Sequence, residues 1–389
     1  MKKETRVTHA PRVSLLDDNR SVVNPVYRSV KFTYSSIESS LSDVAKRQGF
    51  DYTRDSNPTT RELELLPAGL QERDDAIAVA SGMGSVWLAL LGNLQAGDRI
   101  VIFVESYRPS RIAVRKFLPR LNIDHVMLDL DDHAGIAREF ADPRTKLVMF
   151  ESPTNPMLKV ADIAKIVDMA KQSDVVTVLD NTFAGLHNHG DFDIDYYVHS
   201  LTKYANGHGD AMGGIVIGSQ QRMKALRPLA VNMGSTMDPG AAFLMLRGMK
   251  TYYLRYRQHS ENALAVAQFL AARPEVTRVC YPGLKDDPGH ALAARQMQDF
   301  GGVVSFDLDA DRAKTWAFID ALSLFATTAS LGSTESLVAP VKLYLGGDLS
   351  AGELQRARIS DSTVRLAVGI EALEDLLGDL RQAFARVFV

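Results

Sequence analysis

Apolar runs without polar alternation recur from about residue 60 onward. Residues 76–80, 99–104, 125–128, 146–151, 175–180 and 215–218 are short and rich in Val, Ile and Leu. Strands apolar on both faces belong to a parallel sheet covered by helices on either side. The segments between them supply those helices. Residues 85–94, 110–118 and 160–171 repeat their apolar positions with helical period. This alternation predicts an α/β unit over residues 56–245, built on a mainly parallel sheet.

The first 55 residues lack that regularity. Asn24-Pro25-Val26-Tyr27 and the pairs Ser35-Ser36 and Ser39-Ser40 read as extended chain. The Leu, Val, Tyr and Phe among them are too apolar for a solvated tail. We expect residues 1–55 to be an arm lying on a neighbouring subunit or on the body of its own. Beyond residue 245 the pattern changes again. A long helix over 251–272, a strand over 303–308, a helix over 313–324 and another over 371–387 predict a smaller α+β unit at 246–389.

Composition narrows the setting. The chain has 389 residues, 46% hydrophobic and 23% charged, which excludes disordered and fibrous classes. Its net charge of −3 argues against an electrostatic nucleic-acid binder. The single cysteine, Cys280, excludes an internal disulfide framework and a cysteine-based metal cluster. No apolar run approaches the roughly 20 residues that span a bilayer. MKKETRVTHAPR is charged but no apolar stretch follows it, so we expect no secretory signal and a cytoplasmic protein.

The candidate chemistry gathers at strand ends. Ser81-Gly82-Met83-Gly84-Ser85 follows a strand and opens a helix, where free amides favour an anion; a plain tight turn is the simpler alternative. Ser200-Leu201-Thr202-Lys203-Tyr204 places a lysine between hydroxyl residues, ahead of Gly207-His208-Gly209-Asp210. Such a lysine suits Schiff-base chemistry with a carbonyl cofactor whose phosphate the hydroxyls bind. Asp180 ends the apolar run 175–179. A buried carboxylate there needs a cationic partner, and a pyridinium nitrogen is one. His187, His189 and Asp191 lack further ligands at metal-site spacing and read as a polar loop. Cys280 reads as core rather than reactive. Arg247, Arg255, Arg257 and His259 read as a solvated or interface face of one helix.

These segments, together, resemble the pyridoxal-phosphate enzymes of cysteine and methionine metabolism. That fold-type-I family includes cystathionine β-lyase, cystathionine γ-lyase, cystathionine γ-synthase and methionine γ-lyase. The resemblance rests on Val178-Leu179-Asp180-Asn181-Thr182-Phe183 and Ser200-Leu201-Thr202-Lys203-Tyr204, and extends in order over nearly the whole chain. It also takes in Tyr52-Thr53-Arg54, Ser81-Gly82-Met83, Tyr107, Glu151-Ser152-Pro153-Thr154-Asn155-Pro156, Ser330-Leu331-Gly332 and the segment from Arg365 to Glu371.

The resemblance implies pyridoxal 5'-phosphate carried on Lys203, which also acts as base at the substrate's Cα. It implies Asp180 at the ring nitrogen and Tyr107 stacked on the ring. Gly82, Met83, Ser200 and Thr202 would hold the phosphate, with Tyr52 and Arg54 reaching it from a neighbouring subunit. Asn155 belongs to the cofactor site by the same likeness. Ser330 and Arg365 would meet the substrate, the guanidinium gripping its α-carboxylate bidentately. No metal is implied.

Within the family the signals divide. Tyr107-Arg108-Pro109-Ser110, Asp210-Ala211-Met212 and Arg257-Gln258-His259 lean to the β-lyase. Asn57-Pro58-Thr59 and Asn155-Pro156 lean to the γ-type enzymes, while Ala329 and Leu331 match neither. We expect a carbon–sulfur lyase that acts on L-cystathionine or related thioether amino acids by α,β-elimination. A γ-eliminating or γ-replacing enzyme is the alternative. A non-catalytic, cofactor-binding regulator is a third reading, disfavoured by the intact Lys203, Asp180 and Arg365. We expect a homo-oligomer, a tetramer formed as a dimer of dimers.

Overall fold

The computed structural model describes residues 19, 21–46 and 49–388. Its larger sheet contains β1 (Asp75–Val79), β2 (Arg99–Phe103), β3 (Asp124–Leu128), β4 (Thr145–Glu151), β5 (Val176–Asp180), β6 (Tyr196–Ser200) and β7 (Gly214–Gly218). Their order across the sheet is β1-β7-β6-β5-β4-β2-β3. From β6 to β3 every pairing is parallel. Only β7 opposes both its neighbours, β1 and β6.

Alternate residues of each strand feed opposite layers. Ile100 and Ile102 of β2 pack with Met149, Val178, Val198 and helix Gly82–Leu91. Val101 and Phe103 point the other way, into the cluster that holds Phe150, Tyr197, Tyr256 and the second sheet's Phe306. That second sheet comprises β8 (Val276–Cys280), β9 (Val303–Leu308), β10 (Ala326–Thr327), β11 (Leu337–Pro340) and β12 (Thr363–Ala367). Its order is β10-β11-β12-β9-β8, antiparallel except between β10 and β11. Helices Tyr252–Ala271, Arg312–Ala321 and Leu373–Val387 lie near their expected positions.

The helix expected over 110–118 is shorter and irregular. Arg108–Ile112 is α-helical, Ala113–Phe117 widens to a π turn and Leu118–Leu121 tightens to a 3₁₀ turn. The arm also departs from expectation. Residues 21–36 hold no helix or strand beyond an isolated bridge from Lys31 to Tyr52, but Ile37–Lys46 is a helix. Val22, Ile37 and Leu41 stand 99%, 80% and 68% exposed, so this single chain supplies no cover for them. The first 18 residues of the arm, with MKKETRVTHAPR, fall outside the described residues.

Two side chains assigned to a solvated helix face are buried. His259 is fully enclosed, with Nδ1 against the Val368 carbonyl at 2.7 Å. Arg255 donates to the carbonyls of Tyr204 and Gly248, both at 2.9 Å, and so braces the turn that follows Lys203. Buried carbonyls need donors, and a helix packed against that turn can deliver them only by burying its arginine. His187 and His189 lie in the loop after β5, as expected, with their side chains turned inside. His189 Nδ1 pairs with Asn181 Oδ1 at 2.7 Å.

Candidate active site

The parallel strands end along one edge of the sheet, the usual place for a ligand in such folds. Glu151 closes β4 and Asp180 closes β5, and the two are register partners. Ser200 closes β6, three residues before Lys203. These residues line one cavity of about 520 Å³ with Gly82, Met83, Tyr107, Arg108, Asn155, Thr202, Ser330 and Arg365. Every site residue inferred from the sequence is therefore brought together except Tyr52 and Arg54. Tyr52 is 39% exposed, and the Arg54 guanidinium lies over its ring at 5.2 Å and 3.9 Å from Asp55.

At the base of the site, Thr182 fixes Asp180. Its hydroxyl donates to Asp180 Oδ1 at 2.6 Å, its amide donates to the same oxygen at 3.1 Å, and its Oγ1 accepts the Ser200 amide at 2.9 Å. Burial raises the pKa of Asp180 above the ordinary carboxylate range. Burial first, then the neighbouring Asp180 charge, raises Glu151 in the same direction. Glu151 accepts hydrogen bonds from the amides of Tyr107 and Asn155. It therefore holds the backbone of the residue expected to stack on the ring. Burial and the two carboxylates push the Tyr107 phenol above its usual pKa, so it stays protonated at neutral pH.

Above that floor stands a chain of hydrogen bonds between distant segments. Lys203 Nζ donates to Ser330 Oγ at 2.9 Å. Arg365, on β12, donates through Nη1 to Asn155 Oδ1 and through Nη2 to the Ser330 carbonyl, both at 2.8 Å. Its Nε is buried without a partner. Burial, reinforced by Arg365, lowers the Lys203 pKa to about 8, and burial lowers Arg365 to about 10. A lysine with this pKa is partly unprotonated near neutrality and can act as nucleophile or base.

The opposite wall is an anion cradle. Ser81 caps the helix Gly82–Leu91, accepting the Gly84 amide at 3.0 Å, which leaves the Gly82 and Met83 amides without an intrahelical partner. A Cβ on Gly82 would lie 2.8 Å from Ser200 Cβ, so only glycine lets this turn approach the Ser200 strand end. The Thr202 hydroxyl accepts the Gly213 amide at 3.1 Å. Gly332 plays the matching part on the second sheet's side. At φ +75 its hypothetical Cβ would meet the Tyr204 amide at 2.7 Å, and its absence lets the Ser330 loop reach Lys203.

Thr182, Glu151 and Tyr344 are among the lining residues that had no role assigned from the sequence. Thr182 carried a recognisable signal, a hydroxyl residue two places after a strand-end carboxylate. Glu151 stood inside the quoted motif, yet its pairing with Asp180 depends on strand order. Tyr344 carried no signal at all.

Such a sheet, with ligand groups at its carboxyl edge and a second α+β layer over them, is the fold of a fold-type-I pyridoxal-phosphate enzyme. The family model for Cys/Met metabolism PLP-dependent enzymes matches residues 4–385, and the chain belongs to that family. A cystathionine beta-lyase from Coxiella burnetii is 36% identical over 388 residues, covering 98% of this chain and 97% of that protein. Cystathionine gamma-synthase 1, chloroplastic, from Arabidopsis thaliana is 35% identical over 370 residues, 94% of this chain, which spans 66% of that relative's length. The crystal structure of a cystathionine gamma synthase from Xanthomonas oryzae pv. oryzae, in complex with aminoacrylate and cysteine, superposes with a TM-score of 0.90. It is 36% identical and covers 95% of this chain and 94% of its own.

The residues present fit pyridoxal phosphate, the cofactor of this family. The Lys203 amine is depressed in pKa, the Gly82 and Met83 amides with the Ser200 and Thr202 hydroxyls would hold the phosphate, and Asp180 would serve the ring nitrogen.

Proposed function

We propose that this protein is a carbon–sulfur lyase that cleaves L-cystathionine or related thioether amino acids by α,β-elimination, giving a thiol, pyruvate and ammonia. When bound, pyridoxal phosphate supplies the electron sink that makes the substrate's Cα proton acidic. Lys203 Nζ takes that proton, aimed by its hydrogen bond to Ser330. Asp180 would hold a negative charge for the ring nitrogen, one of its oxygens pinned by Thr182. Arg365 binds the α-carboxylate through its guanidinium edge, held in place by Asn155 and the Ser330 carbonyl. The protonated Tyr107 phenol can deliver a proton to the departing sulfur.

The cavity wall is the observation that carries β-elimination. Arg108 and Pro109 follow Tyr107 in the lining, as in the β-lyase pattern, whereas Ala329 and Leu331 match neither type. The Asn155-Pro156 and Asn57-Pro58-Thr59 segments favour the second reading, γ-elimination or γ-replacement. Product analysis with L-cystathionine separates them. Homocysteine with pyruvate supports our reading, and cysteine with 2-oxobutyrate overturns it.

Tyr52 and Arg54 lie outside their own chain's cavity, and the exposed apolar arm has no cover. Both observations support an arm over residues 1–55 that completes a neighbour's cofactor site, with units at 56–245 and 246–389 behind it. On this reading the assembly is a homotetramer, a dimer of dimers. A cytoplasmic setting suits its half-buried free thiol, whose pKa burial raises to about 11. No described helix is long and apolar enough to cross a membrane.

A further inference from the structure

Five charged side chains line the active cavity among the described residues: Arg108, Glu151, Asp180, Lys203 and Arg365. Three are accounted for by the cofactor, the base and the substrate's α-carboxylate, and Glu151 by the amides of Tyr107 and Asn155 whose hydrogen bonds it accepts. Arg108 is not. It opens the short helix Arg108–Ile112, whose Pro109 and Ile112 also face the cavity. Its Nη1 donates to the Tyr344 carbonyl at 3.0 Å, across a wall that continues through Leu345.

The nearest carboxylate to Arg108 is already taken. Arg111, one turn on and almost wholly buried, grips Asp348 with both prongs of its fork, Nε to Oδ2 at 3.0 Å and Nη2 to Oδ1 at 2.6 Å. Arg108 Nε stops 3.8 Å short of Asp348 Oδ1 and is buried without a hydrogen-bond partner. Two guanidiniums therefore share one carboxylate, and the pair nearest it is the bidentate one. One positive charge is left over, and it borders a cavity whose neighbouring lining is Pro109, Ile112 and Leu345. The Arg108 side chain, 35% exposed, lies beside that apolar lining without a full ion pair. A carboxylate is the planar anion that matches its fork.

We propose that Arg108 is a specificity-determining residue that receives a carboxylate at the far end of the substrate's side chain. The enzyme then prefers amino acids with an acidic distal group over neutral ones of equal length. This rests on the proposed amino-acid site but not on whether elimination occurs at the β or γ carbon. The test is accordingly a binding measurement on the holoenzyme with ligands that cannot be cleaved. L-2-aminosuberate carries a far carboxylate, and L-2-aminooctanoate is its neutral counterpart. Binding of each is followed by the change in the cofactor's visible absorbance.

The wild-type protein should bind aminosuberate about tenfold tighter or more, the size of one charge-assisted pairing. Arg108→Met should abolish that preference and leave aminooctanoate within about twofold of wild type, since the apolar stem is kept. Arg108→Lys should retain part of the preference. Should Arg108→Met not fold, the wild-type preference should still shrink as potassium chloride is raised, while aminooctanoate binding stays level. Equal weakening of both ligands in Arg108→Met would overturn the proposal and leave Arg108 as a brace for the Tyr344–Asp348 turn. No preference in the wild type would overturn it too. If neither ligand perturbs the absorbance, the amino-acid site itself fails and takes this inference with it.

Discussion

Glu151 and Asp180 end neighbouring parallel strands as direct register partners, two buried carboxylates side by side, each with its pKa raised. Glu151 spends its oxygens on the amides of Tyr107 and Asn155, whereas Asp180 uses one oxygen on Thr182 and lines the cavity. Burying two like charges is unfavourable unless a cation joins them or a proton is shared. The ring nitrogen of the cofactor is suited to be that cation, at Asp180.

Asp180→Asn should therefore keep the fold and cripple the chemistry. We expect kcat to fall by about a hundredfold or more, in the range of lost acid–base assistance, with weaker retention of the cofactor on dialysis. Steady-state kinetics and the visible absorbance of the dialysed protein check both. Wild-type turnover in the variant would place the ring nitrogen elsewhere.

Lys203 gives a pH signature in the cofactor-free protein. Its folded pKa of about 8 lies below the unfolded value of 10.5. The unfolded chain therefore binds more protons between these values, and this group's contribution to stability rises with pH across that window. Below about 8 the folded state carries the whole penalty of a buried ammonium. Lys203→Met should raise the melting temperature of apoprotein at pH 7, with the gain shrinking toward pH 10.5. Borohydride reduction of the holoenzyme should separately leave the cofactor's mass on the peptide containing Lys203. An adduct on another lysine would refute the assignment.

Arg54 is about half exposed and lies outside its own cavity. Arg54→Ala and Lys203→Ala proteins should each be nearly inactive alone. Mixed and reassembled, they should regain activity, because one site of a mixed dimer then holds both native residues. Light scattering should show no active monomer. Failure to complement would mean that Arg54 serves its own chain or no site.

In the proposed site Arg365 would meet the part that all α-amino acid substrates share. Arg365→Ala should lower kcat/KM by about a hundredfold for every thioether substrate tested, and Arg365→Lys should recover little, because an ammonium cannot copy the fork. Ala329→Glu should instead change the ranking of substrates. Uniform scaling by Ala329→Glu, or a selective effect of Arg365→Ala, would contradict these placements.

Much of this site was legible in the sequence because its parts are local. A strand buried on both faces must be apolar along its length, so Asp180 at the end of residues 175–179 stood out as a charge with a purpose. The serine, threonine and lysine of 200–203 lie within one turn, and Ser81 with Gly82 announces a capped helix start. Such features follow from the preferences of a few neighbouring residues.

Other features were set by tertiary contacts. Arg365 reaches Asn155, 210 positions away in sequence, only because β12 faces the strand edge that carries Asn155. Arg255 and His259 have the composition of a solvated helix face, yet burial follows from the carbonyls of Tyr204, Gly248 and Val368 that await donors opposite them. The same holds for Arg108 and Arg111, indistinguishable in sequence until Asp348 arrives beside them and pairs fully with one alone. The chain's own pattern determined six of the larger sheet's seven strands and which strand ends carry reactive groups, since burial of apolar surface is written residue by residue. Which charge meets which partner was decided by the packing of the two sheets. Hydrogen bonds and ion pairs act over a few ångströms, and the distances between segments far apart in sequence exist only in the folded chain.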